Sequence, residues 1–175
     1  MQQSNLTIRR AVLTDADLLA ELGARTFSET FAADNKPEDM AAYLQSSFSR
    51  EQLTEELSEP GSTFFIAEID GVAAGYAKLQ TGVDAPPEVA GDKPIELARL
   101  YVLRAWLGRR VGEALMRASV DEARRAGYQT MWLGVWEHNA RARAFYRKWN
   151  FSDVGSHIFQ LGEDAQTDIL MARPL

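Results

Sequence analysis

The sequence predicts an α/β domain built on a mixed, mostly antiparallel sheet flanked by helices. Three observations predict it. Two apolar runs, residues 64–69 and 72–80, are joined by Asp70-Gly71, a hairpin signal. A long amphipathic segment, residues 108–126, lies between two strand-like runs, as a crossover helix does. No repeat or low-complexity tract interrupts residues 1–175, so these elements read as one domain.

Taken in order, residues 6–10 form a short strand. Thr14 with Asp17 three residues on makes a capping-box-like start, and Leu18 and Leu22 share one face of the helix that follows. Pro37 opens a second helix, with Met40, Tyr43 and Leu44 at helical spacing. Ser49 and Gln52 form another capping box, Leu53 and Leu57 follow at i, i+4, and Pro60-Gly61 ends that helix. After the hairpin, residues 81–94 carry Pro86-Pro87 and Gly91-Asp92 and read as a long loop within the domain. Residues 95–103 are a third strand. In the long helix Val111, Leu115 and Ala118 share a face, Glu113→Arg117 and Asp121→Arg125 are i, i+4 ion pairs, and Gly127 is the stop. Residues 130–136 are a strand. Asn139 caps a helix over 139–148, with Ala142, Phe145, Tyr146 and Trp149 on one stripe. Two strands, 153–160 and 167–172, close the chain.

Composition narrows the function. The 175 residues are 46% hydrophobic and 25% charged, which suits a globular domain with one sizeable core. No cysteine is present, which excludes disulfides, thiolate nucleophiles and cysteine metal sites; a cytoplasmic location is the expectation. The net charge of −6 argues against nucleic acid and is compatible with a cationic small molecule. No apolar stretch is long enough to span a bilayer, and Met1-Gln2-Gln3-Ser4-Asn5 lacks the basic start and apolar run of a signal peptide. His138 and His157 are the two histidines, far apart and without a cysteine partner, so no metal site is expected.

The chemistry concentrates where Glu96-Leu97-Ala98-Arg99-Leu100-Tyr101-Val102-Leu103 feeds Arg104-Ala105-Trp106-Leu107-Gly108-Arg109-Arg110-Val111-Gly112. A strand enters a short loop and the loop enters a helix. Gly108 and Gly112 let the backbone turn sharply or come close to a ligand. Arg109 and Arg110 add positive charge where the first helical N–H groups are unpaired, so N–H groups, helix dipole and cations together favour an anion such as pyrophosphate. The same residues also make an ordinary helix start, and spacing alone leaves both readings open.

At this junction the sequence resembles the GNAT superfamily of N-acetyltransferases. Their loop reads Gln/Arg-x-x-Gly-x-Gly/Ala, after a central strand and at the head of a helix. Leu107-Gly108-Arg109-Arg110-Val111-Gly112 keeps Gly112 and the often seen Gly108, and departs at Leu107 and at Arg110, whose side chain must point out of the loop. A second stretch fits as well: Trp132-Leu133-Gly134-Val135-Trp136-Glu137-His138-Asn139, then Ala144-Phe145-Tyr146-Arg147-Lys148-Trp149-Asn150-Phe151. Asn150 stands where glycine is usual, and asparagine also tolerates a left-handed backbone. More narrowly, Gly134-Val135-Trp136-Glu137, Gly155-Ser156-His157 and Asp164-Ala165-Gln166-Thr167-Asp168 resemble the bacterial PaiA-type polyamine acetyltransferases, as do Thr26-Phe27 through Thr30-Phe31, Met40, Tyr43-Leu44 and Phe48.

The resemblance implies a single GNAT domain over residues 1–175, with a splayed strand pair that holds acetyl-CoA as co-substrate. It implies acetyl transfer to a primary amine by direct attack through a tetrahedral intermediate, and in the narrower branch a polyamine such as spermidine or spermine. The implied partner is a small cationic amine; a homodimer is allowed. The positions carried over for the cofactor are the strand backbone at Leu100, Tyr101 and Val102, the loop Leu107, Gly108, Arg109, Arg110, Val111 and Gly112, and the side chains of Asn139 and Lys148. Asn139 reads equally as a plain helix cap, and Lys148 as a solvated lysine.

Acetyl transfer needs a neutral amine, a stabilised carbonyl oxygen and a proton for the departing thiolate. Tyr146 occupies the position of the family's acid, although an aromatic on that stripe also suits a core. Glu96 is the candidate base, acting through water, or else a solvated strand-end carboxylate; many relatives place the acid where Ala98 stands. Glu29, Asp34 and Tyr43 are candidates for the amine pocket, and Glu29 and Asp34 read equally as solvated helix-face charges. Two other functions stay open: acetylation of a different amine, including a protein N-terminus, and a non-catalytic acyl-CoA-binding module. The departures at Leu107 and Arg110 support the last, and Tyr146 opposes it. A P-loop is excluded, because no Gly-Lys-Ser/Thr occurs.

Overall fold

The computed structural model describes residues 4–175, so Met1-Gln2-Gln3 of the leader reading lies outside the described residues. Along the chain run β1 (Leu6–Arg10), α1 (Ala16–Phe31), α2 (Pro37–Ser47), α3 (Arg50–Ser58), β2 (Ser62–Ile69), β3 (Val72–Gln80) and β4 (Pro94–Val102). They are followed by α4 (Val111–Arg125), β5 (Thr130–Trp136), α5 (Ala140–Lys148), β6 (Ser152–Leu161) and β7 (Asp164–Pro174). The strands form one seven-stranded sheet in the order β1-β2-β3-β4-β5-β7-β6. Among the described residues only β4 and β5 pair in parallel, and α4 is the crossover between them. This is the α/β GNAT architecture that the resemblance implies.

Each face of the sheet carries a core. On one, Val111, Leu115 and Met116 of α4 pack against Leu79, Leu97, Met131 and Leu133. On the other, Leu19 and Phe27 of α1, Met40 of α2 and Leu53 of α3 pack against Phe64, Ile66 and Tyr76. Leu53 and Leu115 have no exposed surface, and each such side chain contributes about 1.5–3 kcal/mol of hydrophobic stabilisation. Among the described residues no helix is long and apolar enough to cross a membrane.

Local signals set most of the boundaries. Asp70 and Gly71 both have positive φ (51° and 80°), the turn geometry that Asp-Gly favours. Ser49 accepts the Gln52 amide at 3.1 Å, but the box stays half closed because the Gln52 side chain reaches forward to Glu56. The first helix starts on Asp15 and not Thr14: Asp15 accepts the Val12 amide (2.8 Å) and is held by Arg9 (2.9 Å). Glu113 pairs with Arg117 as expected, whereas Arg125 binds Glu122 and not Asp121; Glu122 also faces Arg10. The long helix begins at Val111, later than residue 108, because Gly108 and Arg110 take left-handed backbone. The last two strands run longer than expected and turn at Gly162. Their tip is polar, so it carries no apolar alternation, yet Leu161 anchors it in the second core. The loop between β3 and β4 is tied down by Val89, which packs on Trp132 and Leu170.

Candidate active site

The site is a gap in the sheet. β4 and β5 pair only at Pro94↔Thr130, Ile95↔Met131 and Glu96↔Trp132. Beyond Glu96 the two strands part. On its other side β4 stays paired to β3 as far as Val102, with Ala98 squeezed out of register between Leu97↔Leu79 and Arg99↔Lys78. Such a bulge bends the strand. The Leu103 amide donates to the Ala74 carbonyl (2.9 Å). Tyr101 and Arg99, two and four residues earlier, therefore also face β3, while Leu100 and Val102 turn their N–H and C=O groups into the gap. Backbone groups at such an inner edge need partners, and a ligand can supply them.

A cavity of about 840 Å³ fills the gap and reaches both faces of the sheet. One half lies under α4 and α5. Leu107, Gly108, Arg110, Val111 and Gly112 line it, as do Leu100, Tyr101 and Val102, Asn139 and Tyr146. Ala114 is the first amide of α4 to find an intrahelical acceptor, Arg110 C=O at 3.0 Å, so the amides of Val111, Gly112 and Glu113 are the unpaired donors of a helix start. Arg110 is the helix N-cap at φ 62°, the conformation that explains why glycine is usual there. A Cβ on Gly112 would meet Phe145 and Val102 at ordinary contact distances, 3.7 Å and 3.8 Å. The fold therefore does not demand glycine at 112, and the bare backbone leaves room for a ligand.

Tyr146 sits on α5, 8% exposed, in the core that α4 forms with the sheet. It is both a core aromatic and a cavity wall. Burial alone pushes its hydroxyl well above the ordinary tyrosine range, so it holds its proton throughout the physiological range and can only donate it. Asn139 caps α5 by accepting the Ala142 amide (3.2 Å), which leaves its NH₂ group as a donor. Arg109 stacks on Trp106, 5.2 Å from the ring centre. Arg109, Lys148, Glu96 and Asp34 are not among the residues that line the cavity.

The other half lies under α1, α2 and the β6–β7 hairpin, and Glu29 and Tyr43 line it. Phe27, Phe31, Tyr43, Trp136 and Phe159 make an aromatic wall, with Phe27 stacked on Tyr43 at 4.6 Å and Phe31 edge-on to Trp136 at 5.8 Å. Its floor is a buried ion cluster. Glu56 accepts Lys78 (2.9 Å) and both terminal nitrogens of Arg99 (2.8 and 3.0 Å). Burial pushes the Glu56 carboxyl up, but Arg99 and Lys78 outweigh it and hold the group below its usual range. Glu96, at the point where the strands part, is raised by burial and partly offset by Lys78, His157 and Arg99. Asp168 also lines this half. Sequence reasoning did not single out Glu56, Lys78, Arg99 or Asp168 for the site. They lie on four separate elements, which the order of the strands brings together and no local sequence pattern marks.

Residues 24–151 match the Acetyltransferase (GNAT) family. The chain is 36% identical over 154 residues to an uncharacterized N-acetyltransferase of Lactobacillus delbrueckii subsp. lactis, covering 88% of each protein. It is 28% identical over 174 residues to an N-alpha-acetyltransferase of Sulfurisphaera tokodaii, covering 96% of this chain and 92% of that one. In structure it is similar to a PaiA N-acetyltransferase of Thermoplasma acidophilum in complex with coenzyme A, with a TM-score of 0.76 at 20% identity, over 98% of this chain and 99% of that one.

Proposed function

The chain belongs to the acetyltransferase (GNAT) family, and from that premise we propose that it moves the acetyl group of acetyl-CoA to a primary amine of a polyamine such as spermidine or spermine. The observation that carries the reading is the two-sided cavity: backbone donors on one side, an aromatic and carboxylate-bearing pocket on the other. The gap peptides of Leu100 and Val102 suit an amide-rich pantetheine arm, and the unpaired amides at the head of α4 suit its diphosphate. A gap N–H meets the thioester oxygen as negative charge develops there. Tyr146 gives its proton to the departing sulfur.

On the acceptor side, aromatic faces attract an alkylammonium and Asp168 supplies a countercharge. The entry is roofed. Gln166 donates to Asn35 at 2.5 Å, and Phe159 packs against Tyr43 at 5.6 Å, so the hairpin leans on α2. Such a roof suits a slender acceptor better than a folded surface. A flexible protein N-terminus is slender too, and the N-alpha-acetyltransferase relative favours it as the second reading.

Thiol release from acetyl-CoA, measured with spermidine, spermine, single amino acids and an N-terminal peptide, separates the two. The expected result is polyamine turnover at least about tenfold above the other amines in kcat/KM, a gap of roughly 1.4 kcal/mol, and a fall of about 100-fold in kcat for Tyr146→Phe with the fold retained. Turnover of the peptide alone would transfer the assignment to the second reading.

A further inference from the structure

Two titratable side chains face each other across the β6–β7 hairpin. His157 and Asp168 are direct partners in register, with His157 Nε2 3.6 Å from Asp168 Oδ2. Their surroundings differ. Asp168 lines the cavity and its side chain is 15% exposed; His157 does not line the cavity and is 42% exposed. The pair therefore reaches from the cavity wall to solvent. It lies over Gly134 of β5, where a Cβ would stand 3.2 Å from His157 Nε2 and 3.4 Å from Asp168 Oδ2. Any larger residue at that point would press on both.

Asp168 is also the available carboxylate. Three carboxylates among the described residues line the cavity. Among the described residues, Glu29 is bonded to Arg25 and to the Arg104 amide, and Glu113 is paired with Arg117. Asp168 is ion-paired with His157 alone. The neighbouring charges are already engaged: Lys78 and Arg99 are bound by Glu56. Tyr43 on α2 and Glu96 on β4 are the remaining titratable groups that face the pair, the first toward Asp168 and the second toward His157.

We infer that Asp168 and His157 form the proton exit for the acceptor amine, Asp168 taking a proton from the bound ammonium and His157 handing it to water. The inference rests on the acetyl-transfer reading above and deepens it. An alkylammonium, with a pKa near that of lysine at about 10.4, must lose a proton before its nitrogen can attack. The freed lone pair then forms the N–C bond to the acetyl carbon as the C–S bond breaks. Of the two protons the nitrogen loses, the first leaves through Asp168 and His157 and is the net proton released. The second replaces the one that Tyr146 gives to sulfur. Burial raises the Asp168 carboxyl, which narrows its gap to the amine, and the more exposed imidazole passes the proton to water.

The test is kcat/KM against pH, with spermidine or the best amine of the panel, for wild type, Asp168→Asn and His157→Ala. Asp168→Asn is expected to lose about 100-fold at pH 7 and to recover as the pH approaches the amine pKa, where free amine needs no acceptor. His157→Ala is expected to lose about tenfold and to regain activity when imidazole is added, because its place is open to solvent. Acetyl-CoA binding by calorimetry should match wild type in both. An Asp168→Asn profile superimposable on wild type overturns the inference, as does a His157→Ala loss that imidazole does not restore; if Asp168→Asn fails to fold, the imidazole arm decides. A wild type inert toward every amine overturns the transfer reading, and this one with it. An active wild type with an indifferent Asp168→Asn overturns this one alone.

Discussion

The two halves of the cavity are made of different material. The half under α4 and α5 presents chiefly backbone: the open edge of β4, two left-handed residues and the first amides of a helix. Its parts come from two short stretches, 100–112 and 139–146. The half under α1, α2 and the hairpin presents side chains, contributed by positions from Phe27 to Asp168. A site made of peptide groups survives side-chain changes; a site made of side chains depends on each of them. That difference accounts for the coexistence of an irregular loop, with Leu107 and Arg110, and a continuous row of gap-facing amides.

The side-chain half has the larger energies at stake. Glu56 is 4% exposed and carries two cations. Glu56→Gln would leave Lys78 and Arg99 buried without a counterion, a loss of about 3–5 kcal/mol, measurable by denaturant unfolding. The pH dependence has a definite sign. The folded-state pKa of Glu56 lies below its unfolded value of about 4.3, so its stabilisation is complete above that pH and disappears as the pH falls through the lower folded value. The variant should lack this part of the acid-side decline. A loss below about 1 kcal/mol, no more than an exposed ion pair supplies, would show that the cluster does not frame the pocket.

The backbone half is tested by removing an N–H that no neighbouring strand uses. Val102 faces the gap, so its N–H is not part of the β3–β4 ladder. A proline is tolerated at such an edge. Val102→Pro is expected to raise KM for acetyl-CoA about tenfold, or roughly 1.4 kcal/mol, with little change in melting temperature. An unchanged KM with full activity would mean that the strand edge holds nothing.

Legibility divides along the same line. The hairpin at Asp70-Gly71, the Asn139 cap and the long helix after the loop are set by neighbours within four residues, so periodicity and turn chemistry disclose them. Asn150 and Gly127 take the left-handed backbone that their identities allow (φ 67° and 85°). The Glu56–Lys78–Arg99 cluster and the His157–Asp168 pair depend on strand order and on the register of two different strand pairs. Such contacts across 11 to 43 residues are properties of the folded sheet and not of any local pattern. Even Arg125 chose its neighbour Glu122 over the expected Asp121, a decision made by side-chain packing that spacing cannot resolve.

The smallest expected effect is the sharpest on the comparison itself. Arg110 holds φ 62° and ψ 12° at the head of α4, and its side chain is exposed. A left-handed backbone costs a non-glycine residue about 1–2 kcal/mol. Arg110→Gly removes that strain but loosens the unfolded chain, which offsets about 0.4–1 kcal/mol, so the net gain in stability should be no more than about 1.6 kcal/mol. Its effect on KM for acetyl-CoA separates two origins of affinity. If the amides of Val111, Gly112 and Glu113 hold the diphosphate, KM stays within about twofold, because the donors and their dipole remain. If the guanidinium holds it, KM rises about tenfold and the wild type shows a salt dependence that the variant lacks, since an exposed charge contact is screened within about 10 Å at 0.1 M salt. That second result would place this half of the cavity with the other, as a site made of side chains.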